Sequence, residues 1–404
     1  MTANGETTER RSFLLVTMEG SGNNPPQLAV AGELASRGHR VRVLGHENLR
    51  RGFERAGCDF SLYERTPVVD FNRARSFEEE VDYVYNRLVF EPSFGHDLLA
   101  ELEREPADVV LVDRVLYGAM AAAESAGVPA VALFYTLFAA VHRGAEGQVL
   151  ARQGPEISTL RAEFGLAGVP TPLHQLARTD LAIVSAPRFF DDDLGTLPGD
   201  VSYDNVRYVG PLVPEREKPA DFAMPWPDSD RRPLIVVSLS TGAQNQAEVL
   251  QRLLDAVGRL PARVLTTVGN ALDPESLTVP DNAAVLRFVP HDLVLPEASL
   301  VVTHAGLGTV MAALRHGVPL LCLPMGRDQH ANGRRVQELG IGRTIPQESR
   351  VGVLRAAISR VLADRKYARN VEKLGESLDP RKSRRQAADL IEACAARRPE
   401  VAAG

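Results

Sequence analysis

A strand-like run ends at His304 and is followed by the turn Ala305-Gly306-Leu307-Gly308, after which Thr309 is expected to open a helix with apolar residues at Val310, Ala313 and Leu314. Glycines let the backbone come close to an anion, and the exposed N–H groups and dipole of a helix start favour a phosphate there. His304 and the Thr309 hydroxyl add two side-chain donors for the same phosphate. The pattern also serves as a plain tight connection, so its neighbours decide. A second loop, Gly20-Ser21-Gly22-Asn23-Asn24-Pro25-Pro26, lies where an α/β protein puts its first functional loop. It holds no acid, no base and no nucleophile stronger than Ser21.

The elements that must position these loops are legible as two series of short β-branched runs separated by helical segments, the alternation expected of parallel sheets covered by helices. Strands are expected over 13–18, 40–44, 108–113, 129–134 and 181–186, then over 234–240, 262–269, 283–289, 300–304 and 319–325. The first helix should place Leu28, Ala31, Leu34 and Ala35 on its apolar face and stop at Gly38. A proline- and charge-rich stretch without period separates the series and reads as a linker. The resulting division is a first domain over 1–212, a linker over 213–232, a second domain over 233–383 and a C-terminal segment over 384–404, helical to about 398. Residues 66–100 interrupt the first series, either as a pocket wall or as peripheral helical packing.

Composition narrows the classes of function. A 404-residue chain suits two domains. Its formal charge of −6 offers no general attraction to nucleic acid or anionic lipid. The polar start and the lack of a long apolar stretch predict a cytoplasmic protein. Cys58, Cys322 and Cys394 share no ligand spacing and read as buried thiols.

The block "FVPHDLVLPEASLVVTHAGLGTVMAALRHGVPLLCLPMGRDQHANGRRVQELG" (288–340), together with "VRYVGPL" (206–212), "RGHRV" (37–41) and "DVVLVD" (108–113), resembles the GT-B fold glycosyltransferases of the bacterial antibiotic and macrolide type. The resemblance covers essentially the whole chain. It implies two Rossmann-like α/β domains facing a cleft, and inverting transfer of a hexose from a UDP- or TDP-sugar without a metal or other cofactor. It further implies that Ser240, Thr241, His304, Gly306, Gly308 and Thr309 hold the donor diphosphate. Phe288 and Val289 match the nucleobase site, and Asp328 and Gln329 match the pair that binds the sugar hydroxyls, to which a carboxylate and an amide suit. The partners implied are a nucleotide sugar and a small acceptor, with no nucleic acid or membrane; a homodimer is left open.

Relatives of this type carry Gly-His-x-x-Pro in the first loop, with the histidine as general base and an aspartate at the end of the "DVVLVD" strand to orient it. The resemblance puts the proline at Pro26, the histidine slot at Asn23 and the aspartate at Asp113. Asn23 and Asp113 are therefore the expected catalytic pair, with the base itself missing. An amide cannot take a proton, and loss of a positioned base costs roughly 10²–10⁴ in rate. Four explanations stand open: an acidic acceptor such as a phenol, enol or N–H; attack by carbon or nitrogen with Asp113 as base; a base from elsewhere, Glu19, His46, Asp70 or His96; or a silent nucleotide-sugar-binding protein. Retention of His304, Thr309, Asp328 and Gln329 favours a working enzyme. The aromatics of 134–147 predict an aromatic or polyketide-like acceptor.

Overall fold

The computed structural model describes residues 9–20, 22–68, 79, 81–215, 222–239, 246–269 and 272–396. Seven parallel strands form the first sheet: β1 (Ser12–Val16), β2 (Arg40–Gly45), β3 (Asp59–Leu62), β4 (Val109–Asp113), β5 (Ala130–Phe134), β6 (Leu181–Val184) and β7 (Val206–Tyr208), ordered β3-β2-β1-β4-β5-β6-β7. Six more form the second: β8 (Leu234–Ser238), β9 (Arg263–Thr267), β10 (Ala283–Leu286), β11 (Ala298–Thr303), β12 (Leu320–Cys322) and β13 (Gly342–Thr344), ordered β10-β9-β8-β11-β12-β13. Both are doubly wound, as expected. Their central strands are continuous apolar runs because helices cover both faces, and β1, β4 and β8 bury nearly every side chain.

Three details depart from the sequence expectation. The edge strands β3 and β13 had no apolar run to announce them. The first helix, Asn24–Ser36, buries Ala31 and Leu34 with Leu28 and Ala35 half-buried beside them, and its inner face also takes in Ala29, Val30 and a polar residue, Gln27. The strand expected over 13–18 ends at Val16, and Thr17 and Met18 leave the sheet to start the first loop.

The last helix, Pro380–Ala396, begins before the expected 384 and lies on the helix Asn24–Ser36. Its Ala387, Ala388, Ile391, Cys394 and Ala395 join the core beneath the first sheet with Val209 and Leu212. Arg37 fastens it by bonds to Asp389 and Glu392. Arg384 reaches the Val213 carbonyl at 2.9 Å, and Gly210 packs so close to Ser383 that a Cβ there would lie 2.7 Å from its hydroxyl.

Within 66–100, residues 69–78 and 80 lie outside the described residues; 81–90 and 93–100 are helical, with Phe90 stacked on Tyr117 at 5.7 Å and Phe94 and Leu98 fully buried, while Asn86, Phe90 and Pro92 also line a cavity. Cys58, Cys322 and Cys394 are buried thiols. Among the described residues no helix is long and apolar enough to cross a membrane.

Candidate active site

In doubly wound sheets ligands bind beyond the carboxyl ends of the strands where the winding reverses. Those points lie between β1 and β4 in the first sheet and between β8 and β11 in the second. The chain's two chemically notable turns leave the ends of β1 and β11.

Asn23 stands at the N-cap of the helix Asn24–Ser36, yet its side chain caps nothing. An N-cap amide ordinarily accepts from the second or third N–H of the helix, and Pro25 and Pro26 supply neither. The side chain turns instead to Asp113, the last residue of β4. Asn23 Nδ2 donates to Asp113 Oδ2 at 2.6 Å and to the Met18 carbonyl at 3.3 Å. Asn23 Oδ1 is buried and accepts nothing. The loop is closed by Asn24, whose Oδ1 accepts from the Gly20 N–H and whose Nδ2 donates to the Met18 carbonyl. Gly20 lies against the Asn23 amide; a Cβ there would stand 2.3 Å from Oδ1.

Asp113 is fully buried and accepts two amide bonds on one oxygen, from Asn23 and from Gln27 Nε2 at 2.7 Å, with the Val115 N–H at 3.3 Å on the other. Burial pushes its carboxyl upward, partly offset by these donors and by Arg114. Gln27, whose Oε1 takes the Thr17 hydroxyl, is a member of this group that sequence reasoning missed. A buried glutamine on an otherwise apolar helix face was the available signal.

Of the other base candidates, His46 follows β2, donates from Nε2 to the Pro67 carbonyl at 3.1 Å and meets the Tyr63 ring edge-on at 5.0 Å. Burial lowers its pKa. His96 pairs with Glu163 at 3.4 Å and lies on Phe164, among the outer helices. Asp70 lies outside the described residues, and Glu19 is half-buried near His46.

On the second domain the helix begins at Leu307 rather than Thr309, with Gly306 as its N-cap. Leu307, Gly308 and Thr309 therefore form the first turn, whose N–H groups have no intrahelical partner. Ala305 adopts a left-handed backbone, φ 69°, which folds the chain from the strand into this turn. Gly306 must lack a side chain because a Cβ would lie 2.6 Å from His304 Nε2. Burial holds the His304 imidazole down to about 4, with the Ser238 carbonyl opposing and Arg327 adding to the fall. Ser240 and Thr241 lie outside the described residues.

Asp328 precedes the helix Gln329–Glu338 and accepts from Asn332 Nδ2 at 2.9 Å; the same amide donates to the Ala305 carbonyl at 3.0 Å. Asn332, a residue sequence reasoning missed, thus ties the His304 turn to Asp328. Gln329 commits its carbonyl oxygen to the N–H groups of Met325 and Gly326. The Phe288 ring is 66% exposed, open to stacking, whereas Val289 is buried.

The two halves meet around these residues. Tyr135, which follows β5, feels Asp113, Arg114 and Glu146 from its own domain and Asp328 from the other. Arg114 and Glu146 form a buried pair at 2.8 Å. Arg334, on the helix that Asp328 leads, grips the nearly buried Asp192 with both terminal nitrogens, at 2.7 and 3.2 Å. Arg335 donates to the Phe189 and Phe190 carbonyls at 3.0 Å each.

Residues 251–394 match the erythromycin biosynthesis protein CIII-like C-terminal domain. The chain is 27% identical to the NDP-glycosyltransferase YjiC of Bacillus subtilis, covering 94% of this chain and 96% of that one. It is 28% identical to the 4'-demethylrebeccamycin synthase of Lentzea aerocolonigenes, covering 94% and 98%. The crystal structure of the glycotransferase of kitacinnamycin superposes with a TM-score of 0.78 at 25% identity over 95% of this chain and 99% of that one. That of CalG4, the calicheamicin glycosyltransferase, shares the fold at 0.76 and 24%, over 96% and 99%. Matches that cover 94–96% of the chain, to relatives and solved structures that are glycosyltransferases, make this chain a glycosyltransferase with the GT-B fold.

Proposed function

We propose that the enzyme moves a hexose, with inversion and without a metal, from a UDP- or TDP-sugar to a small aromatic or polyketide-like acceptor whose attacking X–H is acidic: a phenol, an enol or an N–H. In this reading the first turn at 306–309, with His304 and the loop carrying Ser240 and Thr241, takes the charge that builds on the leaving diphosphate. Phe288 and Val289 receive the base, and Asp328 and Gln329 the sugar hydroxyls, which favours a donor that keeps its hydroxyls. Asn23 aims the nucleophile.

The observation that carries the reading is the orientation of the Asn23 amide. With Nδ2 committed to Asp113, Oδ1 is the amide atom left without a partner, an oxygen that receives a hydrogen bond but not a proton. Such a group orients an X–H that is already easily ionised and does little for an aliphatic alcohol. A second reading, transfer to carbon or nitrogen with Asp113 taking the proton, draws support from the upward push on that carboxyl. It requires Asn23 to swing aside, since Asp113 is fully covered. A silent binding protein accounts poorly for the intact donor residues.

The test is release of nucleoside diphosphate from UDP- and TDP-sugars with phenols, N-heterocycles and plain alcohols as acceptors. Turnover confined to the acidic acceptors supports the reading; equal rates with alcohols overturn it.

A further inference from the structure

Among the described residues, two that are not glycine carry a left-handed backbone: Ala305, φ 69°, and Arg327, φ 54°. An L side chain adopts that conformation at a cost in free energy and keeps it only where the surroundings hold it. Ala305 follows β11 and Arg327 follows β12. These strands are parallel neighbours, with Thr303 opposite Cys322, so both strained turns leave the same carboxyl edge of the second sheet. One turn leads into the helix start at 306–309 and the other into Asp328.

A single side chain joins them. Asn332, in the helix Gln329–Glu338, is fully buried. Its Nδ2 carries two hydrogens; one goes to the Ala305 carbonyl at 3.0 Å and the other to Oδ2 of Asp328, the residue after Arg327, at 2.9 Å. Oδ1 is buried and accepts nothing, so the two donor bonds set the amide. Nearer bonds support each turn separately: the Ala305 N–H turns back to the Thr303 hydroxyl at 3.3 Å, and Gln329 Oε1 accepts from the Met325 and Gly326 N–H groups. An asparagine that merely filled core space would bury an unpaired oxygen that an apolar side chain avoids. What the amide adds is the bond between the two strained turns.

Resting on the donor placement proposed above, we infer that Asn332 is a positioning residue for the nucleotide sugar. One amide holds both strained turns, and with them the N–H groups of 306–309 and the Asp328 carboxylate, in the arrangement that the donor meets. Without it the turns relax, and the donor binds only the fraction of molecules that keep the strained form.

The experiment is equilibrium binding of UDP, TDP and their glucose conjugates to wild type, Asn332→Ala, Ala305→Gly, Ala313→Gly and the two double variants that add Asn332→Ala to a glycine. Glycine takes a left-handed backbone without strain, so at position 305 it removes what Asn332 has to oppose. Asn332→Ala should weaken the tightest of the four ligands about tenfold. The same change should cost less than about threefold when residue 305 is glycine. With the glycine at 313, an equally buried alanine in the helix Leu307–Arg315, the loss should again be about tenfold. A loss below about twofold in Asn332→Ala overturns the inference, and so does a loss of equal size in all three backgrounds, which would mark a bond that steadies the fold without holding strain. For an Asn332→Ala chain that does not fold, Arg327→Gly against Arg327→Ala carries the test with Asn332 in place. The Arg327 side chain is exposed and only glycine relieves its turn, so glycine must give the higher Tm; equal values overturn the inference. Failure of the donor placement itself looks different, as unchanged affinity for all four ligands in His304→Gln and Asp328→Asn.

Discussion

If Asn23 orients the acceptor as proposed, Asn23→His installs a base beside Asp113, the residue it now bonds. The amide and the imidazole present two polar atoms at similar spacing, so Nδ1–H of the new ring can take the 2.6 Å bond now made by Asn23 Nδ2 to Asp113, turning Nε2 to the acceptor. A positioned base is worth roughly 10²–10⁴ in rate, or about 2.7–5.4 kcal/mol of barrier. The lost bond to the Met18 carbonyl, long at 3.3 Å, costs about 1 kcal/mol of stability or less. The expected result is therefore a gain of about 10² or more in kcat/KM for plain alcohols. Acceptors largely ionised at the assay pH should change by only about threefold, because they need no base. The assay is nucleoside diphosphate release across acceptors of graded pKa, with thermal denaturation as the folding control. A folded variant whose alcohol rates do not rise refutes the argument that Asp113 is poised to orient a base at position 23.

Three more outcomes follow from the geometry. Gly20→Ala should lower kcat/KM by about tenfold or more while leaving donor binding alone, since its Cβ would press the Asn23 amide off Asp113; unchanged kinetics would mean the loop yields freely. A nucleoside diphosphate beside His304 favours the imidazolium, which burial now holds down to about 4. Binding must then take up a proton, and UDP affinity should rise as the pH falls from 7 toward 5, a gain absent in His304→Gln; calorimetry in buffers of different ionisation enthalpy measures it. Asp192→Asn removes the carboxylate between Arg334, Arg143 and Arg335. The arginines are partly solvated, so about 1–3 kcal/mol is expected rather than the full cost of an orphaned buried charge. The donor KM should rise with it, because Arg334 sits on the helix led by Asp328; a changed Tm with an unchanged KM would separate the two effects.

Much of the architecture was written in the pattern of apolar runs, because a strand covered on both faces must be apolar throughout. What escaped were edges: Asp59–Leu62, Val206–Tyr208 and Gly342–Thr344 are short and partly solvated, so they carry polar residues and no signal of a strand. The site was legible only where a turn had a type of its own. The turn from His304 to Thr309 could be read from glycine spacing, although its helix opens at Leu307 rather than at Thr309. Asn23 and Asp113 are ninety residues apart and were paired only by resemblance. Gln27 left only the signal of a glutamine on an apolar helix face, and Asn332 was out of reach, since it is defined by the hydrogen bonds it makes to Asp328 and Ala305.

The chain passes between the two halves twice, once after Gly210 and once before the helix Pro380–Ala396. These passages touch: Arg384 holds the Val213 carbonyl, and Ser383 sits on Gly210. Two bodies joined by one tether have three rotational degrees of freedom, but two tethers bonded side by side leave one easy axis. Under the function proposed above, opening to admit a nucleotide sugar is confined to a swing about that seam, so each closure would return the anomeric carbon to the same line of attack beside Asn23 instead of searching for it.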